Sequence, residues 1–235
     1  MHGVSLAKVK SMVYVIASSR PWYFRVVRNL RENTGKEFVW MGNKDDLTVE
    51  RLQQIRPRYI FFPHWSYMIP KELYEHFECV IFHLTEVPFG RGGSPLQNLI
   101  ARGIYETKVT AFRCEAGLDA GPVYTRRPLS LFGNAEEIYL RASKNIEDMI
   151  LEIIEREPEP IGQNGEVVSF RRRRPEESDV TSLDTLEKVF DYIRMLDADG
   201  YPKAFLETNH LRLEFSRASL KSECIIADVR ITKKQ

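Results

Sequence analysis

Several things are scarce in this sequence, and each scarcity removes a class of protein. There are three cysteines, Cys79, Cys114 and Cys224, an odd number with no C-x-x-C spacing. That excludes a disulfide scaffold and suits reduced thiols in a reducing compartment. No stretch approaches the roughly 18 apolar residues of a membrane span. Charge of one sign is also missing: 34 Lys and Arg against 33 Asp and Glu leave a formal net charge of +1. The chain therefore carries no global basic field for a nucleic-acid backbone. Internal repeats and low-complexity tracts are absent. Two lysines precede the apolar run Met12 to Ala17, but that run is too short for the core of a signal peptide and reads as a first strand. These absences point to the cytoplasm.

What is there is alternation. The chain has 235 residues, enough for one full α/β domain with a small appendage and for a core that needs no staples. Met12 to Ala17, Glu37 to Met41, Tyr59 to Phe62 and Cys79 to Phe82 are short β-branched and aromatic runs of strand type. Helical patterns separate them: one opened by Ser18, Ser19 and Pro21 and running through Leu30, one over Thr48 to Ile55, and a short one from Pro70 to Phe77. This spacing predicts parallel β-α-β units. A helix follows from Pro95, then strands at Lys108 to Phe112 and Val123 to Leu129. If those two are antiparallel, the sheet is mixed. Asn134 with Glu137 has the form of a capping box and opens the longest helix, to Glu155. Its apolar stripe reads as core. The expectation is an α/β fold, doubly wound around a mostly parallel but mixed sheet, with a small β-rich C-terminal subdomain. The predicted division is an α/β domain over 1–156, a linker with a basic segment over 157–183, and the subdomain over 184–235.

The most informative stretch is His83 to Gln97, HLTEVPFGRGGSPLQ. A histidine ends a buried strand, and a loop with Pro88, Gly90, Gly92 and Gly93 turns back into a helix. In open α/β sheets ligands bind at the carboxyl ends of strands. The plainer alternative is a satisfied histidine beside a glycine-rich turn. Spacing alone leaves the two readings even.

The same stretch resembles the H-x-S-L-L-P-x-x-R-G-x-x-P segment of the folate-dependent formyltransferases, which include methionyl-tRNA and sugar-nucleotide N-formyltransferases. Here it reads His83, Thr85, Pro88, Arg91, Gly92 and Pro95. The family's L-D-x-G motif is matched downstream by Leu118-Asp119-Ala120-Gly121. Late segments match too: RRRRPEESDV from Arg171, and YIRMLDADGYPKAF from Tyr192. One family residue is missing. An asparagine normally stands two positions before the histidine, and this chain has Ile81.

The resemblance implies transfer of a formyl group from N10-formyltetrahydrofolate to a primary amine. By the matching motifs, His83 handles protons, and Asp119 orients it and favours its charged form. The folate would be held by Thr85, Glu86, Val87, Pro88, Gly93, Glu115, Ala116, Gly117, Leu118 and Asp119. No metal is expected, because His64 and His83 lack Cys or carboxylate neighbours at ligand spacing. Ile81 cannot donate to an oxyanion, and one such donor is worth on the order of 10² to 10³ in rate. His64, in the loop after the third strand, is the candidate replacement; a surface histidine is the alternative. A different reaction, or folate binding with little chemistry, would also account for Ile81. Trp65 and Tyr67 either flank a ligand or pack. With only about fifty residues after Asp184 and a near-neutral charge, the expected acceptor is an amino sugar linked to a nucleotide, a small-molecule partner. Methionyl-tRNA, using the Arg171 to Arg174 run, and a non-catalytic folate- or nucleotide-binding protein are the alternatives. The run itself reads more simply as a solvated stretch neutralised by the acidic residues after it. The oligomeric state stays open, a homodimer included.

Overall fold

The computed structural model describes residues 12–234. The two lysines weighed against a signal peptide lie outside the described residues. Four parallel strands form the first half of the sheet: β1 (Val13–Ala17), β2 (Glu37–Met41), β3 (Tyr59–Pro63) and β4 (Cys79–His83). β6 (Glu106–Arg113) runs antiparallel to β4, and β7 (Val123–Ser130) antiparallel to β6. The six-stranded order is β2-β1-β3-β4-β6-β7, a mixed, mostly parallel sheet as the sequence predicts.

Alternation along each strand sorts the side chains into two layers. Tyr14, Ile16, Tyr59, Phe61, Val80 and Phe82 face the helices α1 (Tyr23–Thr34), α4 (Pro95–Ile100) and α5 (Ala135–Arg156). Val15, Ala17, Ile60, Phe62 and Cys79 face α2 (Val49–Ile55) and α3 (Lys71–His76). The predicted capping box is present at the start of α5: the Asn134 side chain accepts from the Glu137 amide at 2.9 Å, and the Glu137 carboxylate accepts from the Asn134 amide at 2.9 Å. The start of α1 departs from expectation. No side chain caps it; Trp22 holds the cap position, and the Tyr23 and Phe24 amides bond back to the Arg20 and Pro21 carbonyls. Backbone turns thus satisfy amides that a serine was expected to meet.

β5 (Phe89–Gly92) and β8 (Val168–Phe170) form a two-stranded parallel sheet that the sequence did not announce. Elements of three or four residues are too short to show a period. Gly92 allows the pairing: its φ is 105°, and a Cβ there would stand 2.3 Å from the Phe170 carbonyl oxygen. Beyond it, α6 (Leu186–Met195) packs against a three-stranded antiparallel sheet of β9 (Ala204–Glu207), β10 (Leu211–Leu220) and β11 (Ile225–Lys233). Buried Arg194 ties α6 to the loop before α5, donating to the Leu131 carbonyl at 2.6 Å and the Gly133 carbonyl at 2.9 Å. Among the described residues, no helix is long and apolar enough to cross a membrane.

Candidate active site

Strand order reverses direction between β1 and β3, with β2 built outward on one side and β4 on the other. A crevice at the carboxyl ends of the strands is the geometric consequence. It holds a cavity of about 890 Å³. Ile81 and His83 from β4, Arg20 after β1, His64 to Ile69 after β3, and Glu115 with the Gly117–Gly121 loop after β6 all line it. Tyr139 of α5 and Tyr201 before β9 reach it from the other layer.

His83 is buried, with 8% of its surface exposed. Its Nε2 lies 2.8 Å from the Gly90 carbonyl oxygen. A carbonyl only accepts, so Nε2 carries the hydrogen and Nδ1 bears the lone pair of the neutral ring. That Nδ1 stands 3.8 Å from Asp119 Oδ2. Asp119 is itself anchored: Oδ2 accepts from the Gly92 amide at 2.8 Å. Its φ of 50° is left-handed, a conformation aspartate tolerates better than most residues. Gly121, two positions on, is required sterically, since a Cβ there would fall 1.8 Å from the Arg113 carbonyl oxygen. Gln163 braces the same loop by donating to the Asp119 and Gly121 carbonyls at 2.8 Å each, while its own oxygen accepts from Arg91. Gln163 lies in the stretch taken for a linker, so no spacing could have flagged it.

His64 is placed differently. A left-handed backbone, φ 52°, turns its ring toward the α1–α5 layer. There it stands 4.6 Å from the Tyr139 ring centre and edge-on to Trp22. Its Nε2 is 2.8 Å from the Tyr201 hydroxyl. Burial, helped by the nearby Arg20 charge, lowers its pKa to about 3, so this imidazole is neutral at pH 7. His83, by contrast, meets Phe112 and shares the opposite face with Ile81.

Of the residues expected to hold folate, Gly93, Glu115, Gly117, Leu118 and Asp119 line the cavity. Thr85, Glu86, Val87, Pro88 and Ala116 do not. Thr85 and Val87 are fully buried, and Thr85 donates to the Gly90 carbonyl that also receives His83. Glu86 points out to Lys108 at 2.6 Å. Thr85 thus sits behind the histidine, sharing the Gly90 carbonyl with it. The cavity suits a flat, partly polar ring: Ile81, Phe112 and Leu118 give apolar walls, and Glu115 and Asp119 give carboxylates. Trp65 and Tyr67 both line it.

The arginine run splits. Arg171 makes a two-point pair with Glu177 at 2.6 and 2.9 Å. Arg173 stacks over Tyr192 and donates to the Glu177 carbonyl. Arg171 and Arg172 both line the cavity, but Arg172 has no carboxylate partner among the described residues and reaches the Ser66 carbonyl at 3.5 Å.

Comparison with known proteins bears on this geometry. The family described as "Methionyl-tRNA formyltransferase, C-terminal domain" matches residues 175–232. Methionyl-tRNA formyltransferase from Thermodesulfovibrio yellowstonii is 26% identical over 161 residues, covering 64% of this chain and 52% of that protein. The chain thus spans about half the length of this curated relative. The solved methionyl-tRNA formyltransferase from Clostridium thermocellum is 49% identical, with a TM-score of 0.92, covering 95% of this chain and all of that one. HypX from Aquifex aeolicus, solved with tetrahydrofolic acid, shares the fold: 22% identity and a TM-score of 0.73, over 91% of this chain and 39% of that one. The expectation of an amino sugar on a nucleotide as acceptor and partner is overturned. These relatives bear the methionyl-tRNA formyltransferase name, and the Clostridium protein is matched along its whole length, so the short C-terminal region does not separate the two acceptor classes. With that end-to-end match and the two motifs meeting as His83 and Asp119 in one cavity, the chain belongs to the folate-dependent formyltransferase family.

Proposed function

We propose that this protein transfers a formyl group to the amine of methionyl-tRNA. The observation that carries the reading is the His83–Asp119 pair in the cavity, with Nε2 held by the Gly90 carbonyl and Nδ1 3.8 Å from the carboxylate. A bound N10-formyltetrahydrofolate supplies the formyl carbon and departs as tetrahydrofolate. Ile81, Phe112 and Leu118 are its apolar walls in this reading, with Gly93 and the Glu115 to Asp119 loop at its edge. His83 Nδ1 takes the proton that the acceptor amine loses and returns it to the leaving nitrogen. The imidazolium formed between those steps faces Asp119. The Gly90 carbonyl keeps the ring from rotating, so one nitrogen performs both transfers. His64 belongs to the acceptor side in this reading, since its Nε2 is engaged by Tyr201 and its ring packs at a tilt on Tyr139 in the layer away from Ile81.

A single-turnover assay tests the proposal. With 10-formyltetrahydrofolate in excess, formyl-methionyl-tRNA should form, while uncharged tRNA and free methionine should give no product above background. Tight folate binding with no transfer to methionyl-tRNA would overturn it and leave a binding protein.

A further inference from the structure

The three-stranded sheet of the C-terminal region has two different edges. β9 is met on its outer side, where the Val180 amide donates to the Phe205 carbonyl at 2.9 Å. β11 pairs with β10 and, among the described residues, with no other strand. Natural edge strands are usually shortened, bent or interrupted by proline. β11 is 9 residues long and contains no proline, and the bulge in the pair lies on β10, where Arg217 has a φ of 49°. Its open backbone groups can be assigned. The Lys234 amide donates to the His210 carbonyl at 3.0 Å. Alternation along the ladder then turns the groups of Asp228, Arg230 and Thr232 toward β10, and leaves those of Ala227, Val229 and Ile231 on the open side. The side chains divide by face. Val229 and Ile231 stand opposite Phe215 and Leu213, on the face that packs toward the core, yet they are 46% and 60% exposed. On the other face Asp228 pairs with Arg217, and Arg230 with Glu214 at 3.4 Å.

We infer that β11 is a self-association edge, at which two copies of this chain pair antiparallel about a two-fold axis through Val229. The order of residues along the strand selects this register. An axis at Val229 sets Val229 against itself and Ala227 against Ile231, the residues whose amides and carbonyls are open, so the ladder between the copies can close. A shift that opposes odd to even positions would face open groups with groups already used by β10. The same axis puts Asp228 of each chain opposite Arg230 of the other. Charge then alternates in sign from Arg217 to Asp228 to the partner's Arg230 to the partner's Glu214. An axis at Asp228 would oppose two aspartates, and one at Arg230 two arginines, and like charges directly opposite are destabilising. On the other face Ala227, Val229 and Ile231 of the two chains close into one apolar strip, which removes from water side chains that the monomer leaves exposed. No residue of β11 lines the cavity, so this inference does not rest on the formyl-transfer reading.

Sedimentation equilibrium of the full chain over a micromolar concentration series reads the association. Wild type should follow a monomer–dimer equilibrium. Asp228→Arg and Arg230→Asp each set like charges across the axis at both ends and should weaken self-association by about tenfold or more. Mixed in equal amounts, the two variants should associate again, because each pair across the axis then has opposite signs. Val229→Pro removes the central open amide, which β10 does not use, and should leave a monomer. Circular dichroism of each variant should match wild type, and recovery on mixing separates a lost contact from a lost fold. A wild-type chain that stays monomeric throughout the series overturns the inference. So does a dimer indifferent to Val229→Pro, a single charge variant that associates as tightly as wild type, or a mixture that fails to associate.

Discussion

Two histidines stand at the carboxyl ends of neighbouring strands, His83 on β4 and His64 just after β3, and the fold treats them in opposite ways. His83 continues the strand, keeps Ile81's side of the sheet, and meets a carboxylate. His64 takes a left-handed backbone, crosses to the other layer, and meets three aromatic rings and an arginine. The first environment can accommodate an imidazolium; the second suppresses one. Residue type and strand position are shared, so one backbone dihedral and the identity of the neighbours decide which histidine faces a carboxylate and which is packed among aromatic rings.

The contrast breaks most visibly at His83. Replacing it with alanine should lower single-turnover formyl transfer by roughly 10² to 10⁴-fold, the usual worth of a general acid–base group. Tetrahydrofolate affinity should stay within a few-fold, because the imidazole faces the Gly90 carbonyl and Asp119. Equal rates in mutant and wild type would remove His83 from proton transfer.

A smaller change is expected at Ile81, which lines the cavity on the His83 side. Ile81→Asn places an amide donor there and should raise the transfer rate, by at most about 10³-fold. Desolvation of the amide and lost packing against Phe112 draw against that gain. The structure shifts the balance between the two donors considered for the oxyanion. With His64 engaged by Tyr201 in the other layer, His64→Ala should change KM for the acceptor more than kcat. A fall in kcat alone would return His64 to the transition state.

The smallest effect is a pH dependence of stability. The folded pKa of His64, about 3, lies below its unfolded value of about 6.5. The unfolded chain therefore binds one more proton between those limits. The stability from this group is complete above pH 6.5 and is lost as pH falls toward 3, at no more than about 1.4 kcal/mol per pH unit. His64→Phe should flatten the dependence of the urea midpoint on pH between 6.5 and 4. An unchanged dependence would place the acid sensitivity elsewhere.

The arginine run shows how much local sequence can say. Four consecutive arginines followed by acidic residues suggested neutralisation, and Glu177 does pair with Arg171 and, through its carbonyl, receives Arg173. Arg172 escapes because successive residues of an extended chain point to opposite sides. Its target, Ser66, is 106 positions away, a contact no local pattern contains. The residues expected to hold folate divide in a similar way. Of the segments expected to hold folate, Thr85 and Val87 turn inward and are fully buried, while Gly93, Leu118 and Asp119 line the cavity.

What the sequence determined by itself was periodicity and local chemistry. Short β-branched runs separated by helical patterns set a mostly parallel sheet, the Asn134–Glu137 pair opened α5, and two spaced motifs named His83 and Asp119. These are properties of residues within a few positions of each other, where propensity, capping and alternation act. Only the tertiary structure decided that Nε2 of His83 meets the Gly90 carbonyl while Nδ1 faces Asp119, that Gln163 braces the Asp119 loop and Tyr201 reaches the cavity, and that His64 is kept neutral. Each depends on a partner brought close by chain closure, and on burial, which is a property of the packed molecule.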